Sequence, residues 1–200
     1  MQKILFVSSR HLSKDLLDGA QKRAYEIMKA LSNKHKVDFV YCDSRSIEKT
    51  NNLLFCNKKV NFKINIFSRI INSINSLLRL EPIQNGFFYS KKMSNFISEN
   101  KQNYDVIIFH LTRCAQYLPK DFRGKKILEA TDLGSENYEQ IVKNFSIFNP
   151  LKYLYFIEKL LISNYEKRKF NLFDKVVFVS KNELSKTKKI LNKRKIINIK

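Results

Sequence analysis

Two hundred residues with 44% hydrophobic content suffice for one packed domain of ordinary size, which excludes a disordered chain. Four glycines and three prolines are too few for a turn-rich all-β protein, and no apolar run reaches the roughly 18–20 residues of a membrane span. A formal charge of +20 calls for an anionic partner, either nucleic acid or a membrane face, unless it only reflects a lysine-rich composition spread over the whole chain.

The apolar run Lys3–Val7 reads as a strand, and a polar stretch from Ser8 to Asp18 follows it. Gly19 opens a helix whose apolar residues Ala20, Ala24, Ile27, Met28 and Leu31 recur at three- and four-residue spacing, with Asp18 as a candidate N-cap. Lys36–Cys42 is a second strand, so the opening is a βαβ unit with an expected right-handed crossover. After a polar loop from Asp43 to Lys58, Val60–Ile66 alternates with period two and is expected to be a half-buried strand near a sheet edge.

Ser68–Leu80 has helical spacing, with an apolar stripe of Ile70, Ile71, Ile74, Leu77 and Leu78, and Glu81-Pro82 ends it. Tyr89–Asn100 is another helix, capped by Ser90, with Met93, Phe96 and Ile97 inward. Asp105–His110 reads as a fully buried parallel strand with a short turn or helix at Thr112–Tyr117. Lys126–Ala130 is the next strand, followed by helices at Glu136–Phe148 and from Pro150 to about Asn171. A strand at Lys175–Ser180, a short basic helix at Asn182–Leu191 and a strand at Ile196–Ile199 complete the chain. This alternation predicts a single Rossmann-like α/β domain: a doubly wound, mostly parallel sheet with helices on both faces.

Ligands of such sheets bind past the carboxyl ends of the strands, and those positions hold the candidate functional residues. Ser8, Ser9, Arg10 and His11 follow the first strand, with Gly19 at the helix mouth. There, free amides and the helix dipole favour an anion, unless the glycine serves packing alone. No GxGxxG and no GxxxxGK[ST] is present, so neither a dinucleotide fingerprint nor a P-loop is supported. His110 offers acid, base or hydrogen-bond chemistry at the end of its strand, and Arg113 can meet a phosphate or carboxylate. Asp132 can accept hydrogen bonds from sugar hydroxyls or act as a base, while Ser135 is either a helix cap or a cleft residue. Ser180 and Glu183 read as a capping box, and Glu129 as a residue pointing into packing. Cys42, Cys56 and Cys114 have no metal-ligand spacing and fit reduced core thiols in a cytosolic protein.

The stretches KILFVSSR, DGAQKRAYEIMKALSNKHKVDFV, YDVIIFHLTRCAQYL, KKILEATDLGSENYEQI and FDKVVFVSKNEL, in this order, carry a resemblance. The chain resembles the N-terminal, acceptor-side domain of GT-B glycosyltransferases, in the family-4-like group of retaining enzymes that build cell-surface polysaccharide. The resemblance spans residues 1–200. It implies a C-terminal nucleotide-sugar-binding domain, with a Glu-x7-Glu motif, that this sequence does not contain. The chain is then a fragment, a truncated frame or one subunit of a split enzyme.

By the same resemblance Asp132 and His110 are the candidate catalytic residues, and Gly19, Arg23, Arg113 and Ser135 face the acceptor or donor. The family has a pair of glycines in the first loop, where this chain has Gly19 alone. No cofactor or metal is implied, since the nucleotide-sugar is a substrate held mainly by the other domain. Expected partners are a sugar or lipid-linked sugar acceptor, a separate C-terminal glycosyltransferase subunit, and an anionic membrane surface. The membrane would be met by late lysines such as Lys167, Lys169, Lys186 and Lys195, together with Tyr153, Tyr155 and Phe156. The expected location is cytoplasmic, at the inner face of the membrane. The competing reading is a basic nucleic-acid- or nucleotide-binding Rossmann-like module without transferase activity.

Overall fold

The computed structural model describes residues 1–12, 19–43 and 53–179, and the backbone of 196–198. Seven parallel strands form one sheet: β1 (Lys3–Ser8), β2 (Lys36–Tyr41), β3 (Lys58–Asn61), β4 (Val106–His110), β5 (Lys125–Thr131), β6 (Lys175–Phe178) and β7 (Ile196–Asn198). Their spatial order is β3-β2-β1-β4-β5-β6-β7. The order reverses between β1 and β4, and that reversal opens a crevice at the carboxyl ends of the strands.

The helices are α1 (Gly19–Ser32), α2 (Ile66–Leu78), α3 (Ile83–Phe87), α4 (Lys91–Asn100), α5 (Gly134–Asn144) and α6 (Pro150–Lys169). Alternate residues of each strand feed two cores, as the pleat requires. Ile4 and Phe6 of β1 pack with Ala24, Tyr25 and Met28 of α1. Leu5 and Val7 face the opposite side, with Met93 and Ile97 of α4, Tyr165 of α6, and Phe170 and Phe173 beyond it. The sheet is thus covered on both faces, as its continuous apolar strands demand.

Most expected elements are present within a residue or two. β3 differs: it ends at Asn61, and Ile66 already belongs to α2. The reason is a cap. Asn65 Oδ1 accepts the Ser68 N–H at 2.7 Å, which starts the helix inside the stretch whose period-two pattern suggested strand. β3 does lie at the sheet edge. α2 ends at Leu78, and Leu80 then turns the chain with φ 54°, ahead of the Glu81-Pro82 stop. α3 was not expected at all. α5 starts at Gly134 and stops at Asn144, shorter at its C-terminal end than its pattern suggested. On α1, Gln21 and Tyr25 are buried beside Ala24 and Met28, while Ala20, Ile27 and Leu31 are only partly covered. The Asp18 cap, most of the loop from Asp43, the Ser180–Glu183 box, the basic helix at Asn182–Leu191 and the lysines from Lys186 to Lys195 lie outside the described residues.

Two glutamates of α6 hold other helices in place. Glu158 accepts the Ile83 and Gln84 amides at 2.7 and 3.0 Å, at the start of α3. Glu166 accepts the Gly134 amide at 2.8 Å and the Ser135 hydroxyl at 2.6 Å, at the start of α5. Neither helix has a side-chain cap from its own N-cap residue, Pro82 or Leu133, so these long-range carboxylates satisfy amides that would otherwise be orphaned. The three cysteines are free and buried. Burial pushes the Cys42 thiol up to about 11 and those of Cys56 and Cys114 to about 12, which keeps them as unreactive thiols.

Candidate functional site

The register of β4 and β5 sets His110 directly opposite Glu129. His110 Nδ1 lies 2.6 Å from Glu129 Oε2, with both side chains almost wholly buried. Arg23 reaches over from α1, and its Nε donates to Glu129 Oε1 at 3.0 Å. The Thr131 hydroxyl sits 3.0 and 3.1 Å from the two carboxylate oxygens. Burial by itself would raise the Glu129 pKa. The His110 hydrogen bond and charge, the Thr131 hydroxyl and Arg23 outweigh it, and the carboxyl is held below its ordinary value. An ionised carboxylate only accepts, so the shared hydrogen sits on His110 Nδ1. His110 Nε2 and one terminal nitrogen of Arg23 are buried without a hydrogen-bond partner among the described residues.

The backbone around this cluster is strained. Thr131 has φ 64° and Leu111, the residue after β4, has φ 70°. For a β-branched or bulky side chain such a conformation costs on the order of 1–3 kcal/mol, and it persists only where the surroundings enforce it. The β5–β6 register also slips between Glu129 and Thr131, where a bulge re-aims the end of β5.

Just past these strand ends lies a cleft of about 360 Å³, lined by Arg10, Arg113, Thr131, Asp132, Gly134 and Tyr138 among others. It occupies the switch-point crevice. Arg113 Nε donates to Ser9 Oγ at 2.6 Å, and its guanidinium lies 4.3 Å from the Phe88 ring centre. Arg10 approaches the same ring at 5.4 Å. Two cations are thereby fixed near one wall by a shared aromatic face. Asp132 is half-buried. Its pKa is raised, first by burial and then by the charge of Glu129, with Arg23 opposing. The cleft therefore holds, within one lining, a carboxylate of increased basicity and two guanidinium groups, a combination suited to a ligand with both hydroxyls and a phosphate.

The expected site residues separate into four groups. Asp132 and Arg113 line the cleft. His110 and Arg23 converge, but behind it, on Glu129; His110 is 1% exposed and offers no face to a ligand. Ser135 binds Glu166 and serves the packing of α5 on α6. Gly19 is exposed at the first residue of α1, and a Cβ there would meet no atom of the described residues within 4 Å. Among those residues, no packing contact requires glycine at this position. Gly19→Ala is accordingly expected to leave the melting temperature unchanged or slightly raised. Any loss of ligand affinity in that variant, read by calorimetry, would then report a ligand passing close to the helix mouth.

Sequence reasoning missed Glu129 as the hub and Thr131 as its partner. The available signal was a carboxylate in the middle of an apolar strand, since a charge is buried only when paired. Its partners come from β4 and α1, which only the strand register and the helix crossing reveal.

Taken together, the strand order, the crevice and its residues define a Rossmann-like α/β domain with a polar, doubly cationic cleft at the switch point. No protein-family model matches the chain, and no match is found among curated proteins.

Proposed function

We propose that this domain is the acceptor-side half of a sugar-transfer site used in cell-surface glycan assembly. The sugar arrives on a nucleotide-sugar carried by a second domain or a separate subunit. The observation that supports this reading is the pairing, in one switch-point cleft, of the Asp132 carboxylate with Arg10 and Arg113. Asp132 orients an acceptor hydroxyl and takes its proton as the acceptor oxygen bonds to the anomeric carbon of the sugar and the bond from that carbon to the departing nucleoside diphosphate breaks. The guanidinium groups meet a phosphate of the donor or of a lipid-linked acceptor. His110, Glu129 and Arg23 act as positioning residues: they hold the ends of β4 and β5 in their strained conformation and keep negative charge next to Asp132.

Binding of a sugar diphosphate to the full chain, followed by saturation-transfer NMR, tests this. Asp132→Asn and Arg113→Ala are each expected to weaken binding roughly tenfold, the scale of one lost charge-assisted hydrogen bond, with circular dichroism showing that both variants remain folded. In a transfer assay reconstituted with a donor-binding partner, Asp132→Asn lowers kcat. Wild-type binding in both variants would remove the cleft from the site. Saturable binding of a nucleotide alone, with none of the sugar, would replace this reading with that of a nucleotide-binding module. Affinity for nucleic acid that falls steeply with salt would likewise favour a nucleic-acid-binding module.

A further inference from the structure

A second cleft, of about 430 Å³, lies between α2, α3, the start of α4 and the end of α6. α3 divides it from the switch-point cleft: Gln84 lines one and Asn85 the other, and the two share no lining residue. α2 contributes its polar residues Asn72, Asn75 and Ser76 to the wall. Leu80, at φ 54°, then bends the chain so that Glu81 joins the same lining. Gln116 Nε2 donates to the Asn85 carbonyl at 2.9 Å and steadies α3 beside the cleft. Among the described residues, Glu81 Oε2, Asn85 Nδ2 and the Tyr165 hydroxyl are buried without a hydrogen-bond partner, and all three residues line this cleft. Asn85 is 4% exposed and Tyr165 1%. Leaving such atoms unpaired is costly, so three of them around one cavity point to a ligand.

The chemistry of these atoms narrows the ligand. Burial, then the charge of Glu81, raises the Tyr165 pKa, with Arg168 and Asn85 opposing, so the phenol keeps its hydrogen. The phenol and the Asn85 amide therefore donate, while Glu81 Oε2 accepts. A hydroxyl does both, so a ligand with several hydroxyls satisfies all three atoms. The rim adds positive charge. Arg168 takes Glu81 Oε1 at 3.0 Å, whereas Arg79, Lys91 and Lys169 of the lining have no ion-pair partner among the described residues. Lys169 Nζ lies 5.6 Å from the Tyr165 ring centre, which keeps that cation beside the orphaned hydroxyl. Three cations around one neutralised carboxylate favour an anionic group. The volume falls within the roughly 300–1,000 Å³ of small-molecule sites and far exceeds the ~30 Å³ of a single water. We propose that this cleft is a second binding site, for a small polyhydroxylated anion: a monosaccharide that carries a carboxylate or a phosphate. Its hydroxyls pair with Glu81, Asn85 and Tyr165, and its anionic group meets the cations of the rim. This proposal stands independently of the sugar-transfer reading, because it uses neither Asp132 nor the switch-point cleft.

The test is calorimetric titration of the full chain with glucuronate, glucose phosphorylated on its primary hydroxyl, neutral glucose and inorganic phosphate. Saturable binding is expected for glucuronate or the glucose phosphate, and the tighter of the two identifies the anionic group. Glucose lacks the charge and inorganic phosphate lacks the hydroxyls, so each should bind roughly tenfold or more weakly. Tyr165→Phe removes a hydroxyl that has no partner in the fold, so it should weaken binding roughly tenfold while the melting temperature of the free chain stays the same or rises. Arg79→Glu, at an exposed position, should weaken binding by roughly tenfold or more, and it keeps the test open should Tyr165→Phe fail to fold. No binding of either sugar anion by wild type overturns the proposal. So does undiminished binding by the folded variants, which assigns the sugar anion to the switch-point cleft and leaves the sugar-transfer reading standing. Glucose or inorganic phosphate binding as tightly as the sugar anions overturns it too.

Discussion

Glu129→Ala is expected to destabilise the domain by roughly 3–5 kcal/mol, read as a lowered urea midpoint, because it leaves a cavity and takes the carboxylate acceptor from the buried His110 and the partly buried Arg23. Glu129→Gln keeps the shape and can still accept hydrogen bonds, so it should lose less. The two variants separate the charge from the volume. The pH dependence follows from the direction of the Glu129 shift. Its folded pKa lies below the unfolded value, so its stabilisation is complete above the ordinary glutamate range, near pH ~4.3, and is lost as the pH falls through the folded value. The wild-type urea midpoint should therefore fall on acidification more steeply than that of Glu129→Gln. Asp132 runs the other way. Burial and the charge of Glu129 raise its pKa, so its own contribution to stability declines as the pH rises through that range. In Glu129→Gln the carboxyl titration of Asp132, followed by NMR, should move down, because the repelling charge has gone.

Gly86→Ala is expected to cost about 2–3 kcal/mol and lower the melting temperature by roughly 4–12 °C, a large effect for one methyl group. A Cβ on Gly86 would sit 2.1 Å from the Asn72 carbonyl oxygen, 2.4 Å from its carbon and 2.6 Å from the Ser73 nitrogen. All three are backbone atoms of α2, so no side chain can swing aside and the two helices must part. Separation would also break the bond from Asn72 Nδ2 to the Tyr89 carbonyl and pull Arg69 off Phe87 and Phe88. Loss of amide-exchange protection should therefore concentrate in α2, with the sheet protected as before. The contrast with Gly19 is instructive, because two glycines that look alike in sequence face open space in one case and another helix's backbone in the other.

The parallel sheet was readable because several strands hold runs of four consecutive apolar residues, as in Ile4–Val7, Val106–Phe109 and Val176–Val179, and the helices between them repeat at three- and four-residue spacing. Asp105–His110 is the clearest case, since a segment apolar at consecutive positions has to be covered on both faces. The crevice at the strand ends followed from the same alternation. Thr131 and Leu111 were not readable as left-handed positions, because neither is glycine or asparagine, the residues that ordinarily mark such turns.

Local pattern is enough to settle which segments become strands and helices, because backbone hydrogen bonding and side-chain period are properties of neighbouring residues. It carries no information on what a side chain meets across the fold. The stripe on α2 has the spacing of a core helix, yet it faces outward because Gly86 and Arg69 bind the helix to α3 by its other side. Glu129 lies in a strand as its pattern says, but whether its carboxylate is a liability or a hub depends on His110, nineteen residues away, and Arg23, more than a hundred away. Register and helix crossing bring those charges together. In a low-dielectric interior that juxtaposition, rather than residue type, sets the energy of the cluster, and the Glu129 charge adds to burial in raising the pKa of Asp132 in the cleft beside it.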